Sequence, residues 1–281
     1  MVKLEPVLDW SALRAGASFA PAHCTLDDVF VDAYLHATGE NHALYAQGWA
    51  PPLSLLLVRF TKASLGGRWP SGTLQLTQSF RSFRALRRGE RITLDLHITS
   101  IDQQEGRLTF ATRSVARDEQ GHTVAEQGSS QNWTRPGSRR ATGNVPAPSN
   151  APLSPVWSAQ NIGPLTECFP MARLRAYGEV AGALDPIHLD PEFARSTNLG
   201  VNIAQGKLVM TMLHRLMLDC FEMPWLERGI LNIRFRRPVL VDQPIEAWAR
   251  PLEGTDGSAF EVWCSNPCGE RLIVGKAGLP V

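Results

Sequence analysis

Residues 206–222, GKLVMTMLHRLMLDCFE, place Leu208, Val209, Met212, Leu213, Leu216 and Met217 over more than one face of a helix. A helix that is apolar nearly all round has no side to offer water and must be enclosed by other elements. The next residues supply the enclosure. ILNIRFRRPVLV, IEAWARPL, SAFEVWC and RLIVGKAGLPV read as strands, with TDG and SNPCGE as hairpin turns. Ahead of the apolar helix, a shorter one over 171–181 leads into the loop DPIHLD. The unit predicted is an antiparallel sheet curved around one buried helix.

The same order occurs earlier in the chain. A helix over 27–38 runs into TGENHALY, and the apolar stretch PPLSLLLVRFTKASLG reads as a second buried helix. LQLTQSFRSFRAL, ITLDLHITSI, RLTFATRSVA and HTVAEQGSSQNW follow as strands. Between the two units lies TRPGSRRATGNVPAPSNAPLSPVW, too poor in large hydrophobes to bury anything and so read as a linker. The expected division is an N-terminal unit over 1–135, a linker over 136–158 and a C-terminal unit over 159–281. A single curved sheet leaves an edge unprotected, so the two units are expected to pair edge to edge.

The bulk properties exclude more than they assign. With 281 residues, 43% of them hydrophobic and 20% charged, the chain can build a sizeable core. A net charge of +1 gives no general attraction for nucleic acid or an anionic membrane, and neither is expected as a partner. No apolar run approaches the ~20 residues of a membrane span, and MVKLEPVLDW does not read as a signal peptide. The five cysteines are odd in number and scattered, which suits reduced thiols and a cytoplasmic protein. Cys264 and Cys268 have the look of a metal pair, but no second pair or nearby histidine completes four ligands. Asn, Pro and Gly between and after them suit a turn, so no metal site is expected.

Three stretches of the C-terminal unit, AGALDPIHLDPEFA, IAQGKLVM and IRFRRPVLVDQP, resemble the MaoC-like, or (R)-specific enoyl-CoA hydratase, family of the hot-dog fold. TGENHALY, WAPP and FRALRRGE in the N-terminal unit resemble it more weakly and in the same order. The resemblance implies an α+β double hot-dog, two antiparallel sheets each wrapped around a central apolar helix. It implies a hydro-lyase that hydrates trans-2-enoyl thioesters or dehydrates (R)-3-hydroxyacyl thioesters, on coenzyme A or an acyl carrier protein, as in fatty acid metabolism. No cofactor is implied beyond the thioester itself. Pairing of two chains into a homodimer is left open, since the two units already offer each other an edge.

Carried onto this chain, the family histidine is His188 and the helix-opening glycine, whose amide polarises the thioester carbonyl, is Gly206. The family carboxylate falls on Ala183. A positioned acid or base typically contributes ~10²–10⁴-fold, so alanine there removes a main part of the ordinary mechanism. Asp185 is the nearest substitute, although an aspartate before proline is also a common turn former. Glu179 is a more distant option, and Asp190 suits the cap of the helix PEFARS. Gln205 is a substrate-binding candidate beside the glycine, and Lys207 adds a charge unusual for the family. Arg236 and Arg237 are candidates for the coenzyme A phosphates, or else a solvated strand edge.

In the N-terminal unit Glu40 and Tyr45 fall on the acid and histidine positions, and Pro52, which has no N–H to donate, falls on the glycine. Only six residues separate Tyr45 from Pro52, against seventeen between His188 and Gly206. That unit is expected to accommodate substrate rather than act on it. Two alternatives stand beside the hydro-lyase: an acyl-CoA-binding protein or inactive partner subunit without catalysis, and a hot-dog thioesterase.

Overall fold

Ten strands form one antiparallel sheet, and its order mirrors about the middle: β1-β5-β6-β7-β3, then β9-β12-β11-β10-β8. The first five are Ala22–Thr25 (β1), Leu74–Ser82 (β3), Arg91–Gln104 (β5), Arg107–Arg117 (β6) and Thr123–Thr134 (β7). The second five are Ile162–Glu167 (β8), Ile230–Phe235 (β9), Ile245–Pro251 (β10), Ala259–Ser265 (β11) and Arg271–Gly278 (β12). A separate two-stranded ribbon joins Trp49–Ala50 (β2) to Leu86–Arg87 (β4). The computed structural model describes residues 13–67, 73–134, 161–197 and 199–280, and the expected linker over 136–158 lies outside them.

The two units meet where β3 pairs with β9, with Thr77 opposite Arg234, Ser79 opposite Asn232 and Arg81 opposite Ile230. The Ser82 amide extends the seam to the Gly229 carbonyl at 2.9 Å, and the Ser82 hydroxyl donates to the Leu226 carbonyl at 2.6 Å. Edge-to-edge pairing thus converts two exposed edges into one ladder. Alternation along the seam strands turns Gln78, Phe80, Leu231 and Ile233 inward, where all four are buried. Thr77, Arg81, Asn232 and Arg234 face outward and are exposed.

Eight helices complete the described residues: Asp28–Thr38 (α1), Ala43–Ala46 (α2), Val58–Leu65 (α3), Met171–Ala181 (α4), Pro186–Leu189 (α5), Pro191–Ser196 (α6), Gly206–Phe221 (α7) and Met223–Arg228 (α8). The helix α7 starts where predicted, ends one residue sooner at Phe221, and is enclosed as its pattern requires, packed against β8, β10 and β11. Leu208, Met210, Met212, Leu213, Met217 and Leu218 are each 0% exposed.

The N-terminal unit departs from expectation. PPLSLLLVRFTKASLG is not one helix: Pro52–Leu56 forms a 3-10 turn, Leu57 is extended, and α3 begins at Val58. Pro52 forces Pro51 out of helical geometry and then opens the turn at a position where a missing N–H costs nothing. The short α3 lies against β1 and β5, and its cations reach the other unit. Arg59 donates to the Val180 carbonyl at 3.3 Å and Lys62 to the Gly182 carbonyl at 2.6 Å. Both bonds fall on the C-terminal end of α4, where exposed carbonyls and the negative end of the helix dipole favour cations.

Candidate functional site

The loop carrying His188 is stitched to the segment that enters α7. The Ile203 amide donates to the Ile187 carbonyl at 3.3 Å. Asn202 Nδ2 donates to the Ile187 and Asp190 carbonyls at 3.0 and 3.2 Å. The Asp190 carboxylate caps α6 through the Glu192 and Phe193 amides at 2.9 and 3.1 Å, as the sequence suggested. These bonds fix the loop against residues 202–205 and leave the histidine little freedom of backbone.

The ring of His188 is held as well. Its Nδ1 lies 2.9 Å from the Ile203 carbonyl oxygen. A carbonyl only accepts, so Nδ1 carries the proton and the neutral ring presents the lone pair of Nε2. Burial holds the ring below its ordinary pKa, while the bond to Ile203 and the charge of Asp185 work in the other direction. The unprotonated base is therefore the resting form near neutral pH, with a carboxylate at hand to favour its cation. Asp185 is half-buried at the head of α5 and its side chain makes no capping bond. The turn-former role does not use its carboxylate.

Gly206 opens α7, and the first amide of the helix to find a partner is Leu208, on the Gln205 carbonyl at 3.0 Å. The Gly206 and Lys207 amides make no hydrogen bond among the described residues, the condition that makes a helix N-terminus an oxyanion site. A Cβ at Gly206 would stand 2.9 Å from Phe235 Cε1, so the bare α-carbon is also required by packing. Phe235 is half-buried at the end of β9, next to the seam.

Gln205 is a clamp rather than an exposed contact. It is 3% exposed, and Nε2 donates to the Leu174 carbonyl at 2.9 Å and the Ala183 carbonyl at 3.4 Å. Two acceptors at one end of the amide fix its orientation and send Oε1 the other way, where it is buried without a partner. Ala183 itself is buried at 7% exposure, so its methyl fills a closed corner between α4 and the start of α7.

Arg236 and Arg237 lie beyond the end of β9 rather than within the strand. Arg237 forms an ion pair with Glu270, which ties its charge to the hairpin after β11, while Arg236 is exposed. Arg236 forms no ion pair among the described residues. Glu179 is exposed on α4. Cys264 is buried and Cys268 exposed, and both are free thiols in the hairpin predicted for them.

The corresponding positions of the N-terminal unit form something else. Tyr45 Oη donates to Glu40 Oε2 at 2.7 Å and lies 3.0 Å from His214 Nε2, and Trp225 Nε1 donates to His214 Nδ1 at 2.8 Å. Because Nδ1 accepts from tryptophan, the ring is neutral and its Nε2–H points at Tyr45. A directed chain results, Trp225 to His214 to Tyr45 to Glu40, with all four side chains buried and each unit contributing two. Burial pushes Glu40 up to about 7 and His214 down to about 3. Sequence reading matched Glu40 and Tyr45 to the acid and histidine positions but missed their partners. His214 stands among apolar neighbours of α7, and that buried polar position is the one signal available.

The family profile described as MaoC like domain matches residues 157–259. This part of the chain is similar to a MaoC-like domain. It contains His188, Ala183, Gln205 and Gly206, and the N-terminal unit lies outside the match. No curated protein matches the chain. Among solved structures, HtdX of Mycobacterium tuberculosis is 16% identical with a TM-score of 0.70, over 92% of this chain and 100% of that one. A MaoC-like dehydratase from Phytophthora capsici is 18% identical with a TM-score of 0.69, over 95% of this chain and 96% of that one. Another M. tuberculosis protein, described as having a double hotdog fold, is 12% identical with a TM-score of 0.60, over 96% and 97%. The two units together therefore have the double hot-dog fold.

Proposed function

We propose that the chain is a hydro-lyase on acyl thioesters, hydrating trans-2-enoyl thioesters or dehydrating (R)-3-hydroxyacyl thioesters with His188 as its one acid–base group. The observation that carries this reading is the tautomer. Nδ1 is committed to Ile203, so Nε2 is left as a base on the same stitched segment that leads to the free Gly206 amide.

In the hydration direction, a water hydrogen-bonded to Nε2 attacks C3 as its proton passes to that nitrogen. The electrons of the C2–C3 double bond move onto the thioester oxygen, which the helix N-terminus stabilises. Oxyanion donors of this kind are worth about 3–4 kcal/mol when measured by removal. The imidazolium then returns its proton to C2 and the carbonyl re-forms. One group takes and gives the same proton, so no second carboxylate is needed for balance. Asp185 lowers the cost of the transient imidazolium. No metal or cofactor enters the reaction, Arg236 serves the phosphates of a coenzyme A carrier, and the N-terminal unit accommodates the acyl group.

The buried methyl of Ala183 favours a second reading, in which the chain binds acyl thioesters without turning them over. Loss of the conjugated enoyl absorbance with a medium-chain enoyl-CoA separates the two. The hydro-lyase reading expects turnover by the wild type, an increase in Ala183→Asp and loss in His188→Ala. Binding of the thioester with turnover unaffected by either substitution would sink it.

A further inference from the structure

Lys207 occupies the second position of α7, directly after Gly206. Its Nζ donates to the Leu56 carbonyl, in the 3-10 turn of the N-terminal unit, at 2.6 Å. An ammonium has three N–H groups, and no carboxylate pairs with this one among the described residues. Burial alone pulls it down to about 8, with no acid to offset the loss of water.

This is a poor place for a cation on structural grounds. The N-terminus of a helix carries partial positive charge and favours anions, and the two free amides of α7 point the same way. A lysine serving only to fasten α7 to the other unit would be replaced without loss by a neutral donor, which avoids the desolvation of a charge. Two N–H groups of this ammonium remain beyond its bond to Leu56, on the residue next to the free Gly206 amide; donors without a resident anion suit a negatively charged oxygen.

We propose that Lys207 is a catalytic residue: its ammonium, together with the Gly206 amide, holds the thioester oxygen as negative charge builds on it. The inference rests on the hydro-lyase reading of the same site. As water adds its oxygen to C3, the double-bond electrons move into an enolate whose oxygen accepts from Gly206 N–H and Lys207 Nζ–H. The proton taken by His188 then goes to C2, the C=O bond re-forms, and Lys207 keeps all its protons. The device suits the loss at position 183. With the water-activating pair reduced to one group, the intermediate is made easier to reach instead.

Acetoacetyl-CoA tests this without turnover, because its enolate carries the same charge on the same oxygen and absorbs where the keto form does not. Wild type is expected to bind it as the enolate. Lys207→Gln keeps a neutral donor for the Leu56 carbonyl and is expected to lower the bound enolate fraction about tenfold or more, as loss of a strong oxyanion donor should. Lys207→Arg is expected to retain most of it. Melting temperatures of the same samples identify any variant that fails to fold. Equal enolate binding by wild type and Lys207→Gln would overturn the role of Lys207 alone. If wild type does not bind acetoacetyl-CoA, the thioester reading falls and takes this inference with it.

Discussion

The C-terminal unit keeps its histidine at the rim of a stitched loop with one nitrogen anchored and the other presented; the N-terminal unit has drawn its counterpart, Tyr45, into the core. The acids are exchanged in the opposite sense. Position 183 is an alanine buried at 7% exposure, while Glu40 carries a carboxylate and buries it at 3%. Gly206 opens a sixteen-residue helix with free amides, and Pro52 opens a five-residue 3-10 turn. The same three positions thus have different surroundings in the two units. Polar groups left unpartnered cost stability and can supply reactivity, whereas those in a buried hydrogen-bonded network supply specificity of packing and no access.

The sharpest break of this comparison is to remove the two ring-bearing residues in turn. His188→Ala should lower enoyl-thioester turnover by about 10²–10⁴-fold, as loss of a positioned acid–base group does, with the denaturation midpoint little changed. Tyr45→Phe should do the reverse. It strands the Glu40 carboxyl and the His214 Nε2–H, costing about 1–3 kcal/mol in urea denaturation while turnover is kept. Equal losses of turnover in both would mean that the division is false.

A smaller effect follows from the charges of the buried chain. Glu40 is raised from 4.5 to about 7, so its contribution to stability is fully present below pH 4.5 and is lost as pH rises through 7. His214 is depressed from 6.5 to about 3, so its contribution is present above pH 6.5 and is lost as pH falls toward 3. Between pH 4.5 and 6.5 the two slopes oppose one another. Glu40→Gln leaves only the histidine slope, so its Tm should rise with pH across that window more steeply than that of the wild type. Parallel Tm curves would show that Glu40 does not titrate there. The smallest effect is expected at Pro52→Gly, which restores an amide but no base. It should lower stability by about 0.5–1 kcal/mol and create no activity, measured in a His188→Ala background.

Much of the fold was legible because its signals are local. The pattern of α7 has one solution, enclosure, and the strands after it alternate as half-buried strands do. The edge strands β1 and β8 escaped notice for a physical reason. AHCT is too short to show a period, and IGPLTE carries a glycine and a proline that only an edge tolerates. The break at Leu57 was invisible because every residue from Pro52 to Leu56 is buried, and an apolar run has no period to lose. At the site, His188 and Gly206 could be named from spacing, but the anchored nitrogen could not, since it depends on a carbonyl fifteen residues away. The ion pair that occupies Arg237 depends on a hairpin partner in the same way.

The β3–β9 ladder has a practical consequence for anyone wishing to dissect the chain. A C-terminal unit separated from its partner would bare a row of unmatched amides and carbonyls on β9, and the apolar side chains of α8 would lose their cover from β3. Such a fragment should self-associate rather than stand alone. The N-terminal unit therefore serves as a permanent shield for the edge of β9 and for α8.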